Sequence, residues 1–219
     1  MEKSSHQDYF ENHSVVVRWP FTLYHKPIEK SLTKTLLKVK KNLANRKIKI
    51  LIFGCGMFHE SHLFSPEMEL TLVDADPRLS EPLKKKLGTH LNYRIVISDQ
   101  VTELEKNLTG PYDLIIAKEV IEHITNAEEY LKLFYRVLND RGHLWLSTPN
   151  YGDWSLPFIE RTFLEMIARI KGFSRKHIHP NKYTDQKLQA ELEHSGFKEI
   201  DIKKTNLALA LTATATRQT

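Results

Sequence analysis

Short, nearly continuous apolar runs alternate along this chain with longer stretches whose apolar positions recur every three or four residues. The runs "IKILIF" (48–53), "ELTLVD" (69–74), "YRIVIS" (93–98), "YDLIIA" (112–117) and "GHLWLST" (142–148) predict β-strands. Apolar character on both sides of a strand fits a parallel sheet covered by helices on both faces. Between the runs, the spacing predicts helices around 59–64, 78–87, 101–107 and 126–139. The last has Asn126 at its capping position, acidic residues in its first turn and Gly142 beyond its end.

After the fifth run the rhythm changes. A segment with Pro149, Gly152 and Pro157 carries an apolar helix near 157–170, and "TDQKLQAELEHSGF" predicts a further helix ending at Gly196. Two final strands follow, "KEIDIKK" (198–204) and "LALALTATATR" (207–217), separated by Thr205 and Asn206. So short a connection requires antiparallel neighbours, because a parallel crossover needs a dozen residues or more. The expected fold class is therefore α/β: a doubly wound, seven-stranded, mostly parallel sheet closed by an antiparallel C-terminal hairpin. With no repeat and no linker in view, residues 1–219 read as one domain. Its parts are an N-terminal helical or lid segment (1–45), a core (46–148), an inserted segment (149–183) and a closing helix with its hairpin (184–219).

Composition narrows the class without naming a chemistry. Of 219 residues, 41% are hydrophobic and 27% charged, the balance of a globular protein with room for a three-layer core. No apolar run approaches the roughly 20 residues of a membrane helix, so no membrane span is expected. The stretch "MEKSSHQDYF" lacks the apolar centre of a signal peptide, and the expected location is cytoplasmic. The net charge of +5 tolerates a nucleic-acid partner without requiring one. Much of that charge lies in "KTLLKVKKNLANRKIK", where Leu32, Leu36, Leu37, Val39 and Leu43 keep helical spacing; a solvated amphipathic helix is the plainer reading than an RNA-binding strip.

The candidate chemistry begins at "LIFGCGMF" (51–58), where an apolar strand runs into Gly54-Cys55-Gly56. Two glycines permit a sharp turn and a close approach to a ligand. The single cysteine, Cys55, reads as a small residue packed under the turn, with a reactive thiol as the alternative. "LTLVDADP" then ends its strand in Asp74, twenty residues after Gly54, the spacing at which a carboxylate takes the two hydroxyls of a ribose. Together with "YDLIIAKEVIEHI" and "VLNDRGHLWLSTPN", these stretches resemble the class I S-adenosylmethionine-dependent methyltransferases, over about 46–148 and 183–217. The family's first loop usually reads Asp-x-Gly-x-Gly-x-Gly; here Gly54 and Gly56 match, whereas Ile52 and Phe58 stand at the acidic and third glycine positions. The resemblance implies S-adenosyl-L-methionine as cofactor. It places Gly54, Cys55 and Gly56 toward the methionine portion, Asp74 and Ala75 at the ribose, Asp99 and Gln100 at the adenine, and Lys118 and Glu119 beside them. A dinucleotide dehydrogenase would need glycine where His59 stands and would not usually close with an antiparallel hairpin.

For the acceptor, a helical 119–123 would bring Glu119, Glu122 and His123 to one face. His123 titrates near neutrality and is the expected base for an acceptor hydroxyl, with Glu122 orienting it. The alternative is that Glu119 and His123 only cap the loop. "HPNKYT" (179–184) matches a stretch bordering the acceptor pocket among small-molecule relatives, which adds His179, with His177 two residues before it. The expected reaction is methyl transfer to a small molecule, at oxygen, of the ubiquinone-biosynthesis type and without a metal. Two rivals remain: a metal-dependent methyltransferase of the RNA 3′-terminal ribose, using Glu119, Glu122, His123 and His179, and a non-catalytic partner subunit. Aromatic residues Tyr9, Phe10, Trp19, Phe21 and Tyr24 ahead of the first strand, with Trp154, Phe158, Phe163 and Met166 in the inserted segment, are candidate lid residues. If such patches stay exposed, a homodimer would cover them.

Overall fold

In a computed structural model, which describes residues 21–43, 46–153 and 180–218, a seven-stranded sheet carries helices on both faces. In chain order the elements are α1 (Phe21–Asn42), β1 (Lys49–Phe53), β2 (Glu69–Asp74), α2 (Ser80–Leu87), β3 (Asn92–Ile97), α3 (Val101–Asn107) and β4 (Tyr112–Lys118). They continue as α4 (Ala127–Val137), β5 (Leu138–Pro149), α5 (Asp185–His194), β6 (Lys198–Lys204) and β7 (Ala210–Thr216). The strand order is β3-β2-β1-β4-β5-β7-β6. The first five strands run parallel, and β7 lies antiparallel between β5 and β6. This is the fold class that the hydrophobic pattern predicts.

Alternation along the strands feeds two core layers. Ile50, Ile52, Leu114, Ile116 and Trp145 face the side covered by α1 and α2, with Ile28, Leu32, Leu36 and Val39 of α1 packed on them. Leu51, Phe53, Ile115, Ala117, Leu144 and Leu146 face Leu131 and Phe134 of α4 and Leu188 and Leu192 of α5. Helix α1 is longer than expected, and Leu37 leaves its apolar stripe: it is 60% exposed, one position round from the buried Leu36.

Several boundaries differ from the sequence reading. The 59–64 helix is a 3₁₀ turn, His59–Leu63. Asn126 makes no side-chain capping bond at the start of α4. Strand β5 begins directly after α4, so Gly142 lies inside a strand rather than beyond a helix. The pairing with β4 shifts register there, and a Cβ on Gly142 would stand 2.8 Å from the Asn139 carbonyl oxygen. The final connection is Thr205–Leu209, longer than two residues, because a 3₁₀ turn (Asn206–Ala208) precedes β7. Asp113 has a structural role: nearly buried, it pairs with Arg46 and accepts the Lys49 N–H at 2.9 Å and an Asn139 amide at 2.6 Å, tying the starts of β1, β4 and β5 together.

Candidate active site

The carboxyl ends of β3, β2, β1 and β4 open onto one cleft of about 1250 Å³. Open α/β sheets bind ligands at this edge. From one side to the other, Asp99 and Gln100 follow β3, Asp74 ends β2 with Ala75 after it, Gly54, Cys55 and Gly56 follow β1, and Lys118 ends β4 with Glu119 after it; all of these residues line the cleft, as does His123. The fold thus brings together every expected cofactor-side position. His177, His179 and the candidate lid residues Tyr9, Phe10, Trp19, Trp154, Phe158, Phe163 and Met166 lie outside the described residues, as does the Phe21 side chain.

The turn after β1 holds its shape without a third glycine. Gly54 and Gly56 adopt φ values of +64° and +47°, and Phe58 is left-handed as well, at φ 46°. A left-handed non-glycine residue costs on the order of 1–2 kcal/mol, so something must hold it. The Phe58 ring is buried, its centroid 5.2 Å from that of Phe64, and Lys86 of α2 donates to the carbonyls of Met57 (2.7 Å) and Phe58 (3.1 Å). Phe58 thereby packs under the turn as part of the α1-side core. A Cβ on Gly54 would overlap Val120, whereas one on Gly56 would meet nothing within 4 Å, so the backbone at Gly56 faces open space. Cys55 is buried at 8%, and burial pushes its thiol far above the ordinary value, which makes it packing rather than a nucleophile.

Asp74 accepts the Gly56 N–H at 2.8 Å through one oxygen and the Asp76 N–H at 3.1 Å through the other. Each carboxylate oxygen retains a second lone pair, so the group can still take hydroxyl donors. Asp99 is exposed, and its carbonyl accepts the Tyr130 hydroxyl from α4.

At the end of β4 the local geometry departs from expectation. Glu119 sits at φ +53°, and only Ile121–His123 forms a 3₁₀ turn, so the three residues 119, 122 and 123 do not share a helical face. Glu119 turns inward and accepts the Tyr24 hydroxyl at 2.5 Å and the Ser147 hydroxyl at 2.7 Å. Glu122 is 1% exposed and accepts the Thr148 hydroxyl at 3.0 Å. Its other oxygen stands 3.9 Å from His123 Nε2, beyond hydrogen-bond reach, while the His123 side chain remains half exposed. Burial raises the Glu119 carboxyl; the donors Tyr24 and Ser147 offset part of that rise. Burial raises Glu122 still more, and the neighbouring Glu119 charge adds to it. Burial and then Glu119 hold the Tyr24 phenol well above its usual range, so it stays a donor.

Two contributors escaped the sequence reading. Tyr24 read only as one aromatic among several, although it reaches across 95 residues to Glu119. Glu60 belongs to no motif legible in the sequence, yet it pairs with Lys118 at the cleft wall. Among the described residues no group of three or more His, Cys, Asp or Glu side chains is arranged to hold a metal ion, and no helix is long and apolar enough to cross a membrane.

The family model described as "Methyltransferase domain" matches residues 24–202. The mitochondrial ubiquinone biosynthesis O-methyltransferase of Rattus norvegicus is 31% identical over 161 residues, which are 68% of this chain and 44% of that protein. The malonyl-[acyl-carrier protein] O-methyltransferase of Anoxybacillus flavithermus is 26% identical over 148 residues, 64% of this chain and 52% of that one. The chain thus spans about half the length of the curated relatives it matches. Among solved structures, an S-adenosylmethionine-dependent methyltransferase from Clostridium acetobutylicum superposes with a TM-score of 0.68 at 13% identity, covering 99% of this chain and 100% of that one; this likeness concerns the fold.

Proposed function

Because the chain belongs to the methyltransferase-domain family, we propose that it transfers a methyl group from S-adenosylmethionine to an oxygen of a small-molecule acceptor. The observation that carries this reading is the lateral order of groups along one cleft: Asp99 after β3, Asp74 ending β2, and the open backbone of Gly56 after β1. Strands lie about 4.8 Å apart, so three neighbouring strand ends present base, sugar and chain-end contacts over about 10 Å. The residues fit the cofactor: a side chain at Gly56 would fill the space its backbone now leaves open, and Asp74 keeps free lone pairs. Asp and Glu outnumber Lys and Arg among the cleft residues although the whole chain carries +5, which suits a cationic ligand.

The cofactor supplies an electrophilic methyl group on a positively charged sulfur. Asp74 would hold the sugar hydroxyls, Asp99 and Gln100 would flank the base, and the turn at residues 54–56 would let the bound cofactor approach the backbone. His123, at the cleft and half exposed, would take the proton that an acceptor hydroxyl loses on accepting the methyl group, while the methyl carbon–sulfur bond breaks and the sulfur keeps its electron pair in the departing S-adenosylhomocysteine. Alignment of acceptor and methyl group provides much of the acceleration in such a displacement. An oxygen acceptor agrees with the names of the two curated relatives, both O-methyltransferases.

The test is calorimetric titration with S-adenosylmethionine and its demethylated product, S-adenosylhomocysteine. Asp74→Ala is expected to weaken binding by about 1.5–3 kcal/mol, the loss of hydrogen bonds to a charged acceptor. An unchanged dissociation constant would remove Asp74 from this role, and no binding to the unsubstituted protein at millimolar ligand would favour a non-catalytic partner.

A further inference from the structure

We infer that Glu60 and Lys118 form a preassembled reader of the amino-acid end of the cofactor, standing in for the acidic loop residue that Ile52 replaces. The inference rests on the cofactor reading above and extends it to Glu60, which the family pattern does not supply, and to a charge-specific role for Lys118.

Strand order sets the position. Asp99, Asp74 and the glycine turn end β3, β2 and β1, and the next strand along the sheet is β4, whose last residue is Lys118. A ligand with its base at β3 and its sugar at β2 carries its far end past the glycine turn to β4. That far end is a zwitterion, one ammonium and one carboxylate, and it needs one partner of each sign. Ile52 offers neither: it is 5% exposed and belongs to the core layer under α1.

At the β4 end of the cleft both signs are offered by Glu60 with Lys118, whereas the Asp76–Arg78 pair follows β2. Glu60 lies on the 3₁₀ turn that follows the glycine loop, and both residues line the cleft. Their side chains are only 15% and 19% exposed. An ion pair so far from water gains little stability over two well-packed apolar side chains, because desolvation offsets much of the attraction. Its placement at the cleft wall is explained if the pair opens to admit a second zwitterion, with Lys118 taking the carboxylate and Glu60 the ammonium. Two dipolar pairs side by side then form a four-charge ring in which each ion keeps opposite neighbours. Desolvation raises the Glu60 carboxyl, but Lys118 outweighs it and leaves Glu60 below its ordinary value, so it is charged for this role at neutral pH. Glu119, the other acid nearby, already takes hydroxyl donors from Tyr24 and Ser147.

The experiment uses the full chain and three probes by calorimetry: S-adenosylhomocysteine, its decarboxylated analogue, and 5′-methylthioadenosine, which keeps the base, the sugar and a methylated sulfur but lacks the amino-acid end. The unsubstituted protein is expected to bind S-adenosylhomocysteine at least tenfold more tightly than either shortened probe. Lys118→Met should weaken S-adenosylhomocysteine at least tenfold and methylthioadenosine less than twofold, and Glu60→Gln should reproduce that pattern. Equal affinity of the unsubstituted protein for all three probes would overturn the inference while leaving the cofactor reading intact, and needs no variant to fold. Equal losses for long and short probes in Lys118→Met would also overturn it, because they mark a merely structural pair. Failure of the unsubstituted protein to bind any probe would instead sink the cofactor reading itself.

Discussion

At the scale of single residues, the turn after β1 shows how one glycine pattern serves two needs. Gly54 is required for packing: its φ is positive and a Cβ there would overlap Val120. Gly56 is required for approach: its φ is positive too, but the space beside it is open. The two substitutions should therefore separate. Gly54→Ala is expected to cost about 3 kcal/mol of stability in urea unfolding, from left-handed strain plus overpacking. Gly56→Ala should cost only about 1 kcal/mol from strain, yet weaken cofactor binding at least as much as Gly54→Ala does. Equal stability losses would show that Val120 yields freely. Both glycines were legible in the sequence. Phe58 was not, because the residues that hold its left-handed backbone, Lys86 and Phe64, come from elsewhere in the chain.

At the scale of elements, α1 is the piece that completes the cleft. Its Ile28, Leu32, Leu36 and Val39 bury against the sheet, Ser31 accepts the Trp145 indole N–H at 3.2 Å, and Tyr24 donates to Glu119 at its cleft end. Tyr24→Phe removes the donor and leaves the inward-turned carboxylate with Ser147. The expected loss is about 2 kcal/mol at neutral pH, the range for a hydrogen bond to a charged group, and about 1 kcal/mol in acid, where Glu119 is protonated. Denaturation at the two pH values measures the difference; an equal loss at both would mean that Glu119 carries no charge in the folded protein. The amphipathic period of α1 predicted a helix on a core, but not which end meets the site. Likewise a helical 119–123 would put Glu119, Glu122 and His123 on one face, while the observed 3₁₀ turn sends Glu122 inward and leaves His123 at the cleft.

At the scale of the whole molecule, the buried Glu119–Glu122 pair links folding to pH. Burial raises Glu122 above its ordinary value of 4.5, so between that value and its folded value the native state binds more protons than the unfolded chain. The stability this group contributes is complete below about pH 4.5 and is lost as pH rises through the folded value. Glu122→Gln keeps an acceptor for Thr148 and abolishes the titration. It should therefore be increasingly more stable than the unsubstituted protein as pH rises from 4.5, reaching a constant advantage above the folded value. A stability difference that stays flat from pH 4 to 8 would show that burial does not shift this carboxyl. The sequence by itself determined the strands, their largely parallel direction, the antiparallel closing hairpin and the presence of acidic residues at strand ends, because periodicity of two and 3.6 and the length of connections are local properties of the chain. Only the tertiary structure decided which donors each carboxylate accepts, that Ile52 belongs to the core, and that Glu60 meets Lys118 and Tyr24 meets Glu119. Those facts depend on packing between segments 58 and 95 residues apart, where burial and hydrogen-bond geometry, rather than spacing along the chain, fix the chemistry.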